Sequence, residues 1–250
     1  MKYVKYRPDI SLAQFIDFYW VLQTDANYRA VKAPLFADVC TDIFFNIGSS
    51  PANFNGHDIL SPGNIYVGGT STSFSFVNSF PGSVFIGIRF KPGGLAIFYN
   101  LPLADVVDRI LEFSDTGLTS ILYPDETLPI RLDRYFIARQ KRYAFFPAVI
   151  DLMHRHGVPL NVDALSYHCN MSNRTLERLF NINAGISPKA FIGIVRFQQA
   201  LKFLQENRSK GKLLDVAVQT GYYDHAHLTR EFKKHAGISP SEIYPGPRFP

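Results

Sequence analysis

Leu176, Arg178 and Phe180 recur 52 residues later as Leu228, Arg230 and Phe232. Arginine is a permanent cation with a planar fork of donors, and a lone one is ordinarily a solvated helix face. Two at equivalent places in a repeat favour a shared contact instead. The other chemistry-bearing residues form no catalytic constellation. His225 and His227 are two apart, a spacing that points to different faces of a helix, and no cysteine or carboxylate pattern lies nearby, so no metal is expected. Asp163 lines up with Asp215, and the pair is expected to cap or brace helices rather than to move protons. His57 is the only histidine before residue 154, and Asp38, Asp42 and Asp58 lack ligand spacing. Gly68-Gly69 and Gly93-Gly94 are followed by neither Lys-Ser/Thr nor a third spaced glycine, so they read as turns and not phosphate loops. No catalytic residue and no cofactor is expected, and the chain is not expected to be an enzyme.

The repeat extends beyond its arginines. Ala184-Gly185-Ile186-Ser187-Pro188 returns as Ala236-Gly237-Ile238-Ser239-Pro240, so a unit of about fifty residues is used twice. Each copy reads as a helix, a tight break and a second helix. The first is Val162–Cys169, Asn170-Met171 and Ser172–Ala184; the second is Leu213–Thr220, Gly221 and Asp224–Ala236. This is a helix-turn-helix arrangement, whose second helix presents its N-terminal residues to the major groove. Asn161, Ser172 and Asp224 are expected N-caps, and Ser187-Pro188 opens a helix running to Glu206. Those twenty residues span roughly 30 Å, against roughly 34 Å for one turn of duplex. Such a helix can hold two recognition helices on one face of DNA, with Ile194, Val195, Phe197, Leu201 and Leu204 as apolar surface for both units. Ser239-Pro240 opens a short last helix.

What precedes the repeat is different in kind. Asp42–Gly48, Ile65–Val67, Ser73–Val77 and Val84–Phe90 are short runs rich in Phe, Ile, Val and Thr, punctuated by Ser, Pro, Gly and Asn. Leu12–Trp20 carries apolar residues at 12, 15, 16 and 19, a helical face running into a strand. Lys91-Pro92-Gly93-Gly94 turns the chain into a short helix ending near Tyr99, and Ile130, Leu132, Tyr135, Phe136 and Arg139 suggest a connecting helix. Phe145–His156 suggests another, with Gly157 as its stop. The aromatic crowd of Trp20, Phe44, Phe45, Phe74, Phe76, Phe85 and Phe90 is expected in a core rather than around a ligand. The expected division is a β-rich effector-sensing or dimerisation domain at 1–128, a helical connector at 129–144 and a DNA-binding domain at 145–250. Charge follows that division: residues 1–142 carry 13 Lys/Arg against 13 Asp/Glu, and residues 143–250 carry 13 against 8. The whole formal +5 sits in the repeated half and points to a polyanion. With 46% hydrophobic and 19% charged residues the chain is globular rather than disordered. No signal peptide or membrane helix is read, and Cys40 and Cys169 are expected as free thiols, so a cytoplasmic location is expected.

At the repeat the chain resembles AraC/XylS-type bacterial transcription regulators. The motif stands here as Ser172-Asn173-Arg174-Thr175-Leu176-Glu177-Arg178-Leu179-Phe180, then Gly185-Ile186-Ser187-Pro188. Its second half is Gly221-Tyr222-Tyr223-Asp224-His225-Ala226-His227-Leu228-Thr229-Arg230-Glu231-Phe232-Lys233, then Gly237-Ile238-Ser239-Pro240. The resemblance covers about residues 145–245 and implies an all-α domain of seven helices, with two helix-turn-helix units joined by a long helix. It implies DNA contact by Asn173, Arg174, Glu177 and Arg178 in one unit and by His225, His227 and Arg230 in the other. Arg178 and Arg230 would pair with guanine edges or clamp phosphate, and Glu177 would accept from cytosine. Ala226 offers no hydrogen bond where polar side chains are frequent, and Gln219-Thr220 replaces the usual small or acidic residues. The second reader is therefore expected to discriminate less. Phe18-Tyr19-Trp20, Asp42-Ile43-Phe44-Phe45-Asn46 and Gly87-Ile88-Arg89-Phe90-Lys91-Pro92-Gly93-Gly94 resemble the sensor-like, cupin-like β-barrel fused to some of these regulators.

The expectation is thus an α+β protein of two domains, a regulator with double-stranded DNA as partner in adjacent major grooves. A small-molecule effector, a second copy and RNA polymerase are further candidate partners; membrane is not. Two alternatives stay open: an N-terminal enzyme using the repeat as a targeting module, and a ligand-independent structural DNA binder.

Overall fold

The computed structural model describes residues 1–25, 27–28, 31–140, 145–155, 161–206 and 213–243. Its first part is built from ten strands. β1 (Lys2–Tyr6), β2 (Ile16–Gln23), β4 (Thr41–Asn46), β7 (Ile65–Gly68), β9 (Val84–Phe90) and β10 (Ile110–Phe113) form an antiparallel sheet in the order β1-β2-β9-β4-β7-β10. β3 (Val31–Leu35), β5 (Ala52–Phe54), β6 (Asp58–Leu60) and β8 (Ser75–Ser79) form a second, in the order β3-β8-β5-β6. The expected barrel is realised as these two sheets, and among the described residues no strand ladder closes them into one.

Alternation along β4 shows how the larger sheet serves two cores. Ile43 packs with Ile86, Ile88 and Phe90 on one face, and Phe44 on the other joins Ala52, Leu60, Tyr66 and Phe85 between the sheets. In the inter-sheet core Phe44 stacks on Tyr66 with centroids 5.7 Å apart. Trp20 faces Gly87 across the β2–β9 ladder, and a Cβ on that glycine would lie 2.0 Å from the indole, so only glycine fits. The other face is covered by α1 (Leu95–Phe98), α2 (Thr116–Thr119) and α3 (Leu128–Arg139), whose Leu128, Leu132 and Phe136 are fully buried there. Of the seven aromatics expected in a core, two are exceptions: Phe74 stays partly exposed and lies against the C-terminal helices, and Phe76 is half-buried with Lys32 Nζ 3.6 Å from its ring centroid.

The helix expected over Leu12–Trp20 does not form. Residues 10–15 make turns, with the Leu12 carbonyl accepting from Phe15 N and Ile16 N, and β2 begins at Ile16. From there β9 pairs with one edge of β2, and β1 takes the other edge from Tyr19 onward, so the backbone serves ladders rather than a helix. Leu12, Phe15, Ile16 and Tyr19 are buried as their types demand, in a conformation set by the neighbouring strands.

The second part is helical: α4 (Phe145–Arg155), α5 (Val162–His168), α6 (Asn173–Ala184), α7 (Pro188–Glu206), α8 (Leu213–Gln219) and α9 (His225–Ala236). Gly157, expected to stop α4, lies outside the described residues. After Ser239 the chain makes one 3-10 turn, Pro240–Glu242, closed by a capping box between Ser239 and Glu242. The 19-residue α7 is the spine: Phe191 meets Phe180 of α6 at 5.1 Å, and six residues on Phe197 meets Phe232 of α9 at 5.0 Å. The residue types and the burial agree here, because an apolar stripe on each short helix finds the same long helix.

Candidate nucleic-acid interface

Each recognition helix is bounded by local chemistry. Ser172 Oγ accepts from Thr175 N to start α6, and Asp224 Oδ1 accepts from His227 N at 2.6 Å to start α9. That bond, with the nearby Arg230 and His225 charges, holds the Asp224 carboxyl below the ordinary carboxylate range. Both helices end on a left-handed glycine, Gly185 at φ 74° and Gly237 at φ 72°. The turn before each helix is also left-handed, at Asn170 (φ 53°) and Gly221 (φ 76°).

The backbone contacts of these turns revise the repeat. Met171 N bonds to Ser166 O and Tyr222 N to Ala217 O, an offset of 51 residues, whereas the caps Ser172 and Asp224 are 52 apart. The second turn is therefore one residue longer, and the extra residue is Tyr223, which is 90% exposed. The shifted register also undoes the pairing of Asp163 with Asp215. Buried Leu165 corresponds to buried Val216, so Asp163 corresponds to Leu214. Asp163 is a brace, as expected: its Oδ1 accepts from Asn173 Nδ2 at 2.8 Å, tying α5 to the first residue of α6.

The structure separates the expected contact residues into two groups. Arg174, Glu177 and Arg178 are exposed at i, i+3 and i+4 spacing and form one face of α6. Their counterparts on α9 are Ala226, Thr229 and Arg230, with His225 exposed beside them. Among the described residues Arg174, Arg178 and Arg230 make no hydrogen bond and no ion pair, so three guanidiniums stand free in the first halves of the two helices. Asn173 is exposed but engaged by Asp163. His227 is half-buried, edge-on to the Tyr222 ring at 5.2 Å, and packs within the unit more than it projects from it. Thr229 Oγ1 is turned back to the His225 carbonyl. Sequence reasoning missed Tyr223 because a fixed 52-residue comparison hides a one-residue insertion; comparing the two helices of each copy separately exposes it.

The opposite ends of the same helices are held by the β domain. Thr70 Oγ1 donates to the Ala184 carbonyl at 2.8 Å, and the 3-10 turn Leu103–Val106 packs on Gly185, where a Cβ would lie 2.5 Å from the Leu103 oxygen. On α9, Phe74 N donates to Lys234 O and Ala37 N to His235 O, and the Phe74 ring covers Gly237. Gln198 of α7 reaches the Ala37 carbonyl, and Phe146 of α4 fills the space beside Gly93. Each recognition helix is 12 residues, roughly 18 Å; Arg178 and Arg230 stand near mid-helix, seven residues or roughly 10 Å before the docked glycine, and Arg174 lies one turn further from it. The β domain thus contacts both readers at once, at their C-terminal ends. Among the described residues no group of three His, Cys, Asp or Glu is placed to hold a metal, and no helix is long and apolar enough to cross a membrane.

Residues 165–244 match the helix-turn-helix domain family HTH_18, and residues 4–112 match DUF6597, described as a domain of unknown function. The chain is 30% identical over 82 residues to the HTH-type transcriptional regulator MtrA of Neisseria gonorrhoeae, covering 33% of this chain and 27% of that protein. It is 28% identical over 87 residues to the HTH-type transcriptional activator RhaS of Escherichia coli, covering 35% of this chain and 31% of that one. The matched region spans less than a third of these relatives. A structure of ToxT from Vibrio cholerae shares the fold over 98% of this chain and 100% of its own, with a TM-score of 0.52 and 11% identity.

Proposed function

We propose that this chain, which carries an AraC/XylS-type pair of helix-turn-helix units behind a β domain, is a sequence-specific DNA-binding transcription regulator. The observation that carries the reading is the pair of free, equivalent guanidiniums at Arg178 and Arg230, on two recognition helices set along one 19-residue spine. That spine is about 28 Å long, close to one duplex turn, which suits two adjacent major grooves. In this reading Arg174, Glu177, Arg178, His225 and Arg230 face bases or phosphates, and Asn173 and His227 chiefly shape the two helix starts. Residues 145–250 read DNA, and residues 1–128 sense a small-molecule effector, pair two copies, or both; the expected connector at 129–144 begins with α3, which packs into the β-domain core. RNA polymerase is a natural further partner for such a regulator, and the cytoplasm its compartment. The known regulators among its relatives support this reading over an enzyme.

Binding to a random DNA pool, followed by gel shifts of the selected sequence across a salt series, tests it. If Arg178 reads a base, Arg178→Ala costs roughly 1–3 kcal/mol of discrimination. If it clamps phosphate, binding weakens evenly and the salt slope shrinks by about one. A pool without enrichment, or a variant that changes neither quantity, refutes the reading.

A further inference from the structure

The geometry points to His235 as an imidazolium whose charge holds the second recognition helix on the β domain, so that the placement of this reader responds to pH. The inference deepens the DNA-binding reading by naming what positions α9. His235 is 2% exposed, in the last turn of α9. Its Nδ1 lies 2.8 Å from the Thr72 carbonyl, and its Nε2 lies 3.1 Å from Glu231 Oε2. A carbonyl oxygen and a carboxylate are both acceptors, and neutral imidazole has one N–H to offer. Only the doubly protonated ring satisfies both sides, and a helix C-terminus favours that charge. His235 in turn holds the Glu231 carboxyl below its ordinary range, chiefly through the hydrogen bond between them.

The groups around the ring set what titration can do. On its own helix Lys234 and His227 also act on Glu231. From α7 the uncharged Phe197 ring lies 5.2 Å away, and the Arg196 guanidinium lies 5.7 Å from the Tyr222 ring, which faces Glu231. From the β domain come the Thr72 carbonyl, the Ala37 N–H bonded to the His235 carbonyl, and Asp108, which accepts from Thr72 N at 2.6 Å. Losing the proton leaves one ring nitrogen facing an acceptor with nothing to donate, beside the backbone bonds that Ala37 and Phe74 make to α9. His235 is thus a positioning residue: it acts through the seat of α9 and does not touch DNA.

The test uses the full chain and no DNA, so its outcome is independent of whether DNA binding is confirmed. Ring nitrogen shifts of isotope-labelled histidine report the protonation of His235, and amide exchange at Ala37 and Phe74 reports docking. Both are followed between about pH 5.5 and 8.5, the range over which histidine changes charge. The expected result is an imidazolium at neutral pH, with protection of the two amides falling roughly tenfold toward the alkaline end after correction for intrinsic exchange. Glu231→Gln gives the discriminating contrast. The neutral ring then donates from Nδ1 to Thr72 and accepts at Nε2 from the new amide, so docking persists and its pH dependence disappears. His235→Ala lowers protection at every pH. A neutral His235 ring at pH 7 in the unaltered chain, or an unchanged pH dependence in Glu231→Gln, overturns the inference.

Discussion

Replacing Gly185 and Gly237 by alanine, one at a time, separates the cost of backbone strain from the cost of disturbing the seat between the domains. The two glycines end equivalent helices at nearly the same φ, 74° and 72°, so the strain of placing a Cβ there is common to both, roughly 1–2 kcal/mol. Their surroundings differ. At Gly185 the new methyl would lie 2.5 Å from the Leu103 oxygen and 2.7 Å from its carbonyl carbon, which are backbone atoms that cannot turn aside. At Gly237 the nearest atoms belong to the Phe74 ring, at 2.9 Å, and that side chain is partly exposed and able to rotate. Gly185→Ala should therefore carry a further overpacking cost of roughly 1–3 kcal/mol. For a chain of this size each kcal/mol lowers the melting temperature by roughly 2–4 °C. Calorimetry of the full chain should show Gly237→Ala lowered by a few degrees and Gly185→Ala by about twice as much. Amide exchange should locate the extra loss along Leu103–Val107 and at Thr70. Equal destabilisation of the two variants, or the reverse order, would refute the claim that the first recognition helix is seated on β-domain backbone.

Tyr223→Ala should weaken DNA binding several-fold with no change in melting temperature, since its side chain is 90% exposed beside the start of α9; titration of a labelled duplex alongside calorimetry checks both parts. Ser172→Ala should cost about 1 kcal/mol by removing the cap of α6, read from denaturant unfolding. Asp224→Ala should destabilise in a pH-dependent way. The folded Asp224 carboxyl sits below its ordinary range, so its contribution is present above that range and is lost as pH falls through the folded value. Unfolding curves of the variant and the parent should therefore converge in acid and separate near neutrality.

Most of the candidate interface was legible because it rests on short-range rules. Ser172 and Asp224 cap the helices that follow them, Gly185 and Gly237 end those helices, and Arg174, Glu177 and Arg178 share a face by helical spacing alone. The failures came where distant strands or helices compete. The apolar spacing of Leu12–Tyr19 suits a helix, yet β9 claims the backbone from Ile16 and β1 from Tyr19. The matched aspartates fell out of register because one tyrosine lengthens a turn, which leaves composition and periodicity unchanged.

The doubled unit, its caps, its free arginines and its net charge are properties of neighbouring residues, and the amino-acid sequence alone determines them. The seating of both recognition helices on one β domain depends on contacts between residues more than a hundred positions apart: Thr70 with Ala184, Phe74 with Lys234, and Thr72 with His235. Apart from the His235 ring, those partners are a threonine hydroxyl, a backbone amide and three carbonyls, groups that every stretch of chain offers and no motif marks. Only packing selects which of them meet, and tertiary structure alone decided that the glycines of the repeat are where the two domains join.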